Sequence, residues 1–235
     1  MVNDQVTSTV VTGISSMATR SVLAELVEHY ARLSGQQAVI ESVGGVEAAR
    51  RVQSGEPFDI VVLAADAIDK LDAAGQIVPG SRVDLVRSGV AIAVAAGAPR
   101  PAIGTEAAMR DAVLAARSIG YSTGPSGVHL TRLFERWGIA ETIAPRIVQA
   151  PPGVPVGTLV ARGEVELGFQ QLSELMHLPG IDVIGPLPPE VQIITVFSGA
   201  LCATSRQKEA AQALLSFLAS SQADSAKRAH GMEPA

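Results

Sequence analysis

The sequence predicts an α/β protein of two lobes, each a mostly parallel sheet flanked by helices. Strand and helix patterns alternate along the chain, which is typical of parallel sheets covered by helices. The alternation restarts between two long β-rich stretches, which indicates a second lobe inserted into the first. A length of 235 residues with 47% hydrophobic content suits two small, interdependent lobes better than two independent domains.

The first half of the chain alternates strands and helices, as judged from hydrophobic spacing and terminal glycines. Val22, Leu23, Leu26 and Tyr30 recur at helical spacing, and Gly35 marks the end of that helix. In order, the predicted segments are a strand over 6–13, a helix over 16–35, a strand over 38–41, a helix ending at 55, a strand over 58–64 and a helix over 66–74.

Two β-rich stretches, near 85–95 and over 191–204, are predicted to carry the chain between the lobes. The first lobe then comprises 1–84 and 196–235, and the second comprises 85–195, with a hinge at the crossing strands. Between the crossings we expect helix 105–116, strand 118–122, helix 126–137, strand 147–149, helix 154–162 and strand 167–170. A final helix over 206–228 should pack on the first lobe.

The composition excludes several classes of partner and chemistry. A net charge of -5 and only 3% aromatic residues argue against nucleic-acid binding. The segment from Gly124 to Val128 lacks the second glycine of a nucleophile elbow, and the chain has no dinucleotide or P-loop motif, so no cofactor is expected. The four histidines lack metal-ligand spacing, so no metal is expected. The single Cys202 lies in an apolar run and should be a buried small side chain.

The beginning of the chain does not read as a secretory leader. Residues 1–5 lack a basic segment, and no long apolar stretch follows them. The chain as written is therefore expected to be cytoplasmic, or periplasmic if a leader has been removed. No apolar run approaches the roughly 20 residues that span a bilayer, so membrane insertion is not expected. We expect a monomer.

Three junctions between a strand and a helix are predicted to bind an anion. Helix N-termini present unpaired backbone N–H groups, and in an open α/β sheet ligands bind at the carboxyl ends of strands. The residues at these junctions are Ser15, Ser16, Gly44, Gly45, Ser122, Ser126 and Gly127. The alternative interpretation is that Ser16, Thr105 and Ser126 serve only as helix caps.

Further candidate ligand contacts come from two arginines and two segments of the second lobe. Arg20 and Arg87 could each bind a carboxylate through two parallel hydrogen bonds, and Arg87, beside Ser88-Gly89 at the start of a crossing strand, is predicted to be the principal cation. Paired amides directly after an apolar strand suggest that Gln170 and Gln171 face a cleft rather than only a solvated strand end. Val154-Pro155 would complete the second lobe's contribution.

The whole chain resembles the molybdate-binding-protein type of class II periplasmic solute-binding protein. The segment from Ala49 to Val61 is similar to a family pattern of helix, glycine turn and apolar strand, and the segment from Ala161 to Gly168 is similar to a second one. The resemblance covers both lobes. It implies the two-lobed type II periplasmic-binding-protein fold, closing on a solute held between the lobes.

The ligand that the resemblance implies is a carboxylate rather than molybdate. Molybdate binders of this type offer hydroxyls from the first two helix-opening loops, whereas Gly44-Gly45-Val46 has none, and they commonly have tyrosine where Gln171 stands. By contrast, the segments around Ser15, Tyr121-Ser122 and Gly168–Leu175 are similar to the aconitate isomerase branch. That branch moves a proton on a tricarboxylate.

The preferred function is therefore capture of a small anion. The anion is an oxyanion or, preferentially, a di- or tricarboxylate. If the protein is exported, an ABC transporter permease is an expected partner. The first alternative is an isomerase of a polycarboxylate, which needs a base near the acidic carbon of its substrate. Glu41 is the carboxylate adjacent to a predicted loop and hence the candidate base, although a solvated strand end is the favoured interpretation of this residue. The second alternative is a cytoplasmic ligand sensor.

Overall fold

A computed structural model describes residues 10–235, and the beginning of the predicted first strand, at Val6, lies outside them. The strands are β1 (Val11–Ser16), β2 (Ala38–Val43), β3 (Ile60–Ala64), β4 (Val83–Ala95), β5 (Ile119–Tyr121), β6 (Ile147–Gln149), β7 (Leu167–Gln171), β8 (Ile181–Pro186), β9 (Ile194–Leu201) and β10 (Glu233–Pro234). The helices are α1 (Arg20–Ser34), α2 (Gly45–Gln53), α3 (Ala65–Ala73), α4 (Glu106–Ala115), α5 (Pro125–Arg136), α6 (Ala140–Ile143), α7 (Val156–Ala161), α8 (Leu172–Leu175), α9 (Lys208–Ala219) and α10 (Asp224–Ala229). Single 3-10 turns cover Met17–Thr19, Ala144–Arg146, Pro189–Val191 and Ser221–Ala223.

The chain divides into two compact units. The first unit comprises the described residues up to Leu85, together with Phe197–Ala229 and Pro234–Ala235. The second unit comprises Val86–Val196 and His230–Glu233. The strands β4 and β9 each begin in one unit and end in the other.

The first unit is built on a sheet whose central strands are parallel. β1 pairs in parallel with β2 and β3, and β9 lies antiparallel to β3. All five residues of β3 are buried, as expected for a strand that is covered on both faces. Because β1 and β2 run in the same direction, their carboxyl ends, at Ser16 and Val43, emerge at the same edge of the sheet.

The second unit contains a mixed sheet. β5 pairs in parallel with β6 and β7, whereas β4 lies antiparallel to β7 and β8. Ile92, Met109 and Phe169 are fully buried in a core that packs α4 and α5 against the sheet. The parallel register places Tyr121 beside Phe169, so the residues that follow, Ser122 and Gln170, lie at one edge.

Most predicted elements are present, with a few informative differences. The helix predicted from residue 16 is wrong at its start, because the strand β1 continues through Ser16 and a 3-10 turn precedes α1. The single tail helix predicted over 206–228 is broken at Ser220, whose extended backbone (ψ 161°) separates α9 from the following turn and α10. The elements α6, α8, β8 and β10 were not predicted.

Cys202 lies in the first unit and is buried as predicted, with 1% of its surface exposed. Cys202 forms an isolated antiparallel β-bridge with Ile77, and its backbone N–H donates to the carbonyl of Asp59 at 2.9 Å. Burial, with a smaller contribution from the Asp59 charge, raises the pKa of the thiol to about 12. Within residues 10–235, no helix combines the length and apolarity that crossing a bilayer requires.

Candidate functional site

The first unit brings two of the predicted loops together. Ser15 and Ser16 end β1, and the glycines of the second loop lead from β2 into α2. A Cβ added at Gly45 would stand 3.7 Å from Ser16 Cβ and 3.9 Å from Leu63 Cδ2, so Gly45 lies beside the serine without crowding it. We call Ser15, Ser16, Gly44 and Gly45 the Ser16 loops.

The hydroxyl of Ser16 has no hydrogen-bond partner among the described residues, although the residue is only 7% exposed. Its neighbour Ser15 is satisfied, since its Oγ lies 2.8 Å from Ser42 Oγ. Thr19 Oγ1 donates to the carbonyl of Ser16 at 3.1 Å, which fixes the backbone of the turn. Buried hydroxyls are normally hydrogen-bonded, so an unpaired one beside the N-terminus of α2 indicates a place for an external acceptor or donor.

The two charged side chains predicted near these loops differ in their surroundings. Arg20, the first residue of α1, has an exposed side chain that makes no ion pair within the described chain. Glu41, the candidate base, is held in an ion pair, since its two oxygens accept from Arg51 Nη1 and Nη2 at 2.7 and 2.9 Å. A role as a base stays a prediction.

The alternative interpretation of three serine or threonine caps is confirmed at one position. Thr105 Oγ1 accepts from the backbone N–H of Ala108 at 3.2 Å, as an N-cap does. Ser16 precedes the 3-10 turn without a side-chain capping bond. Ser126 is not a cap, because Pro125 occupies the first helical position and Gly124 is the N-cap of α5.

The junction into α5 in the second unit is tightly packed. Ser122 Oγ accepts from the Gly124 N–H at 3.3 Å, and Ser126 is 2% exposed. A Cβ at Gly127 would lie 1.8 Å from the carbonyl oxygen of Ser122. Gly127 therefore has a steric role, because only a residue without a Cβ allows this approach.

Gln170 is buried in a short chain of hydrogen bonds within the second unit. Its Oε1 accepts from the backbone N–H of Val156, directly after Val154-Pro155, at 2.7 Å. Its Nε2 donates to Glu174 Oε2 at 2.7 Å. We call Val156, Gln170 and Glu174 the Gln170 cluster. The cluster ties the beginning of α7 to α8 at the edge of the sheet where β5 and β7 end.

Glu174 is the residue that the sequence-based prediction missed. Burial raises the pKa of its carboxyl group to about 7, and the hydrogen bond from Gln170 offsets only part of that effect. A group with this pKa exchanges a proton near neutral pH, and perturbed carboxyl groups concentrate at functional sites. The available signal was the spacing of Gln170 and Glu174, four residues apart across a strand end.

Gln171 is also buried and serves the second unit internally. Its side-chain amide contacts Thr195 Oγ1 at 3.0 Å. With the amide oxygen and nitrogen exchanged, the nitrogen donates to Ser88 Oγ at 2.9 Å and the oxygen accepts from Thr195. Arg87, one residue before the fully buried Ser88, has an exposed side chain. A ligand role for Arg87 and Gln171 stays a prediction.

The α/β fold and the loops at the ends of its parallel strands indicate a class of protein that binds small solutes. The chain belongs to the family of bacterial extracellular solute-binding proteins, which it matches over residues 11–233. The resemblance inferred from the sequence is thereby confirmed.

Relatives of two kinds accompany the family match. An aconitate isomerase from a Pseudomonas species is 40% identical over 232 residues, covering 96% of this chain and 88% of the relative. The periplasmic molybdate-binding protein of Azotobacter vinelandii superposes with a TM-score of 0.78 at 21% identity, covering 94% of this chain and 98% of that one. A sulfate-binding protein from Mycobacterium tuberculosis superposes with a TM-score of 0.76 at 16% identity, covering 96% and 87%. These structures confirm the predicted fold class, a periplasmic-binding-protein type.

Proposed function

We propose that this chain binds a small di- or tricarboxylate. The observation that carries the proposal is the buried Ser16 hydroxyl, which lacks a partner among the described residues and lies beside the N-terminus of α2. A carboxylate oxygen would accept a hydrogen bond from this hydroxyl and favour the positive end of the helix dipole. The similarity to an aconitate isomerase supports a polycarboxylate, since that relative is named for a tricarboxylate substrate.

The shape of the second loop supports the choice of a carboxylate over a compact oxyanion. Gly44 and Gly45 contribute no hydroxyl, and a Cβ at Gly44 would meet no atom within 4 Å. Val46, the next residue, is 72% exposed. A loop with open space and an apolar neighbour suits the carbon skeleton of an organic acid, whereas a fully oxygenated anion gains more from hydrogen-bond donors.

A thermal-shift comparison tests the proposal, because a ligand that binds only the folded state raises its apparent stability. Cis-aconitate, trans-aconitate, citrate and succinate are compared with molybdate, tungstate and sulfate at matched ionic strength. The expected result is a larger rise in melting temperature with one of the carboxylates. A rise with molybdate or tungstate alone contradicts the proposal.

We also propose that the loaded protein delivers its ligand to an ABC transporter permease.

The second candidate function is isomerisation of the bound polycarboxylate. Glu174 favours it, since an isomerase needs a base and this carboxyl group has a pKa of about 7. The 40% identical aconitate isomerase supports the same activity. Incubation with cis-aconitate, followed by proton NMR for the trans isomer, tests it directly.

The sequence-based expectation that both units contact one ligand stays a prediction.

A further inference from the structure

Glu174 lies at the edge of the second unit where several predicted ligand contacts occur. β5 and β7 are parallel, so Ser122, directly after β5, and Gln170, the second-last residue of β7, lie at the same end of the sheet. Gln170 binds Glu174 directly, and its other amide atom binds the first residue of α7, directly after Pro155. Ligands of open α/β sheets bind at this end of the strands.

The two oxygens of the Glu174 carboxyl group have different surroundings. Oε2 accepts the hydrogen bond from Gln170 Nε2, which fixes the orientation of the group. Oε1 makes no hydrogen bond within residues 10–235, and the side chain is only partly buried. One oxygen is thus anchored by the Gln170 amide, and the other accepts no hydrogen bond from the described residues.

We propose that Glu174 is the acid-base residue that takes a proton from one carbon of an aconitate-like substrate and returns it to another. This inference rests on the isomerase candidate above. Gln170 acts as its positioning residue, since its amide is itself fixed by the N–H of Val156.

The proposed step conserves atoms and electrons. The Glu174 carboxylate accepts a proton from the methylene carbon of the substrate, so a C–H bond breaks and an O–H bond forms. The electron pair spreads over the adjacent double bond and its carboxylate. The carboxylic acid then returns the proton to the far carbon of the three-carbon unit, and the double bond shifts by one position. No oxidant, reductant or second substrate is needed.

Four elements pack against α8. The helix α7 and the strand β7 carry no ionisable side chain. The strands β4 and β8 contact its leucines through Ala91, Ala93, Ile181 and Val183, and the charged residue of β8, Asp182, is paired with Arg100. Glu174 is the only ionisable residue of α8. His177 follows α8 and makes an edge-to-face contact with His230, with ring centres 5.7 Å apart. A base must be deprotonated to act, so kcat/KM should rise with pH through the pKa of about 7.

The test uses the full chain, Glu174→Gln and the matched control Glu164→Gln, which changes an exposed carboxylate of the same unit near Arg162. Calorimetric titration with cis-aconitate gives binding. Proton NMR in D2O gives isomerisation and deuterium entry at the methylene carbon. The amide oxygen of Gln at position 174 can still accept from Gln170, so binding should stay within about threefold, which is about 0.7 kcal/mol. Isomerisation and deuterium entry should fall at least about 100-fold.

Glu164→Gln should match the wild-type chain in both assays, and the melting temperature of each variant verifies folding. Isomerisation at the wild-type rate in Glu174→Gln overturns the assignment of Glu174 alone. Binding and isomerisation that fall by the same factor overturn it in favour of a positioning role. A wild-type chain that binds aconitate without isomerisation or deuterium entry removes the isomerase candidate together with this inference, and leaves carboxylate binding standing. A wild-type chain that binds none of the carboxylates contradicts carboxylate binding, the isomerase candidate and the assignment of Glu174 together.

Discussion

The two units build their helix-opening loops in opposite ways. In the first unit the Ser16 loops keep a buried hydroxyl without a partner among the described residues and have glycines with open space around them. In the second unit, the Gly127 position lies against the Ser122 carbonyl, and Gln170 uses both ends of its amide within the unit. The first unit therefore leaves a hydroxyl that can bind a ligand, whereas the second unit uses its polar groups for internal hydrogen bonds that hold the loops in place.

This difference separates residues that sequence patterns treat alike. In both units, glycine at the beginning of a helix predicts an anion-binding loop. In the structure, however, Gly45 has room for a Cβ atom, whereas Gly127 has none. Substitutions at Ser16 and Gly45 should therefore change ligand affinity with little effect on folding. Substitutions at the second junction should affect folding first.

The largest expected effect is that of Gly127→Ala compared with Gly45→Ala. The new Cβ at Gly127 would stand 1.8 Å from a backbone oxygen, so the free energy of unfolding should fall by about 3 kcal/mol or more. At Gly45 the closest atom is 3.7 Å away, and the change should stay within about 1 kcal/mol. Urea unfolding of both variants measures the contrast. Equal losses would break the comparison.

Arg87 provides the next test, which concerns binding rather than folding. If this exposed arginine of the second unit pairs with a ligand carboxylate, Arg87→Ala should weaken binding at least about thirtyfold, because losing a partner of a charge-assisted pair costs about 2–5 kcal/mol. Arg87→Lys should restore little, since an ammonium lacks the planar fork. Arg20→Ala is the counterpart in the first unit. Calorimetric titration with the best carboxylate decides it, and affinity within about twofold in Arg87→Ala excludes the residue from the site.

The raised pKa of Glu174 predicts a pH dependence of stability that the Ser16 loops do not have. In the folded chain the group binds its proton up to about pH 7, above the ordinary value of 4.5, so the folded state holds more protons than the unfolded state between these values. Its contribution to stability is therefore present at pH 4.5 and is lost as the pH rises through 7. Glu174→Gln should remove this loss, on the order of 2 kcal/mol.

Chemical denaturation at pH 5 and pH 8, for the wild-type chain and Glu174→Gln, measures this contribution. The difference between the two proteins should be larger at pH 8. A difference that does not depend on pH would mean that the carboxyl group ionises as it does in the unfolded chain.

The smallest expected effect separates two adjacent serines. Ser16→Ala removes a hydroxyl that makes no internal hydrogen bond, so stability should change by less than about 0.5 kcal/mol while carboxylate affinity falls about tenfold. Ser15→Ala removes the contact with Ser42 Oγ and should instead lower stability by about 1 kcal/mol. Thermal melts and calorimetry on both variants test the pair. Loss of affinity only in Ser15→Ala would reverse their roles.

Local sequence patterns predicted the elements whose signals are local. The long apolar stretch near residue 83 is β4, and the helix expected over 105–116 is α4, capped by Thr105. The break at Ser220 was missed because apolar residues continue at nearly helical spacing on both sides of it. The alternative interpretation of Ser126 as a cap was wrong because Pro125, which favours the first helical position, moves the N-cap back to Gly124.

The candidate site could be predicted only where loops and strand ends determine it. The sequence placed Ser16 and Gly45 at neighbouring strand ends, and the parallel pairing of β1 and β2 brings them together. Glu174 could not be found in this way, since its pKa depends on burial by elements distant along the chain. The ion pair between Glu41 and Arg51 likewise depends on the packing of α2 against β2.

The single buried thiol gives this protein an internal reporter of its own opening. With a pKa of about 12 and 1% exposure, Cys202 should resist maleimide or iodoacetamide as long as the first unit stays folded. The rate of alkylation then counts the opening events of that unit alone, because no second cysteine contributes. Ligands that engage the Ser16 loops should slow the labelling, so a mass measurement of one modification can rank carboxylates without any engineered probe.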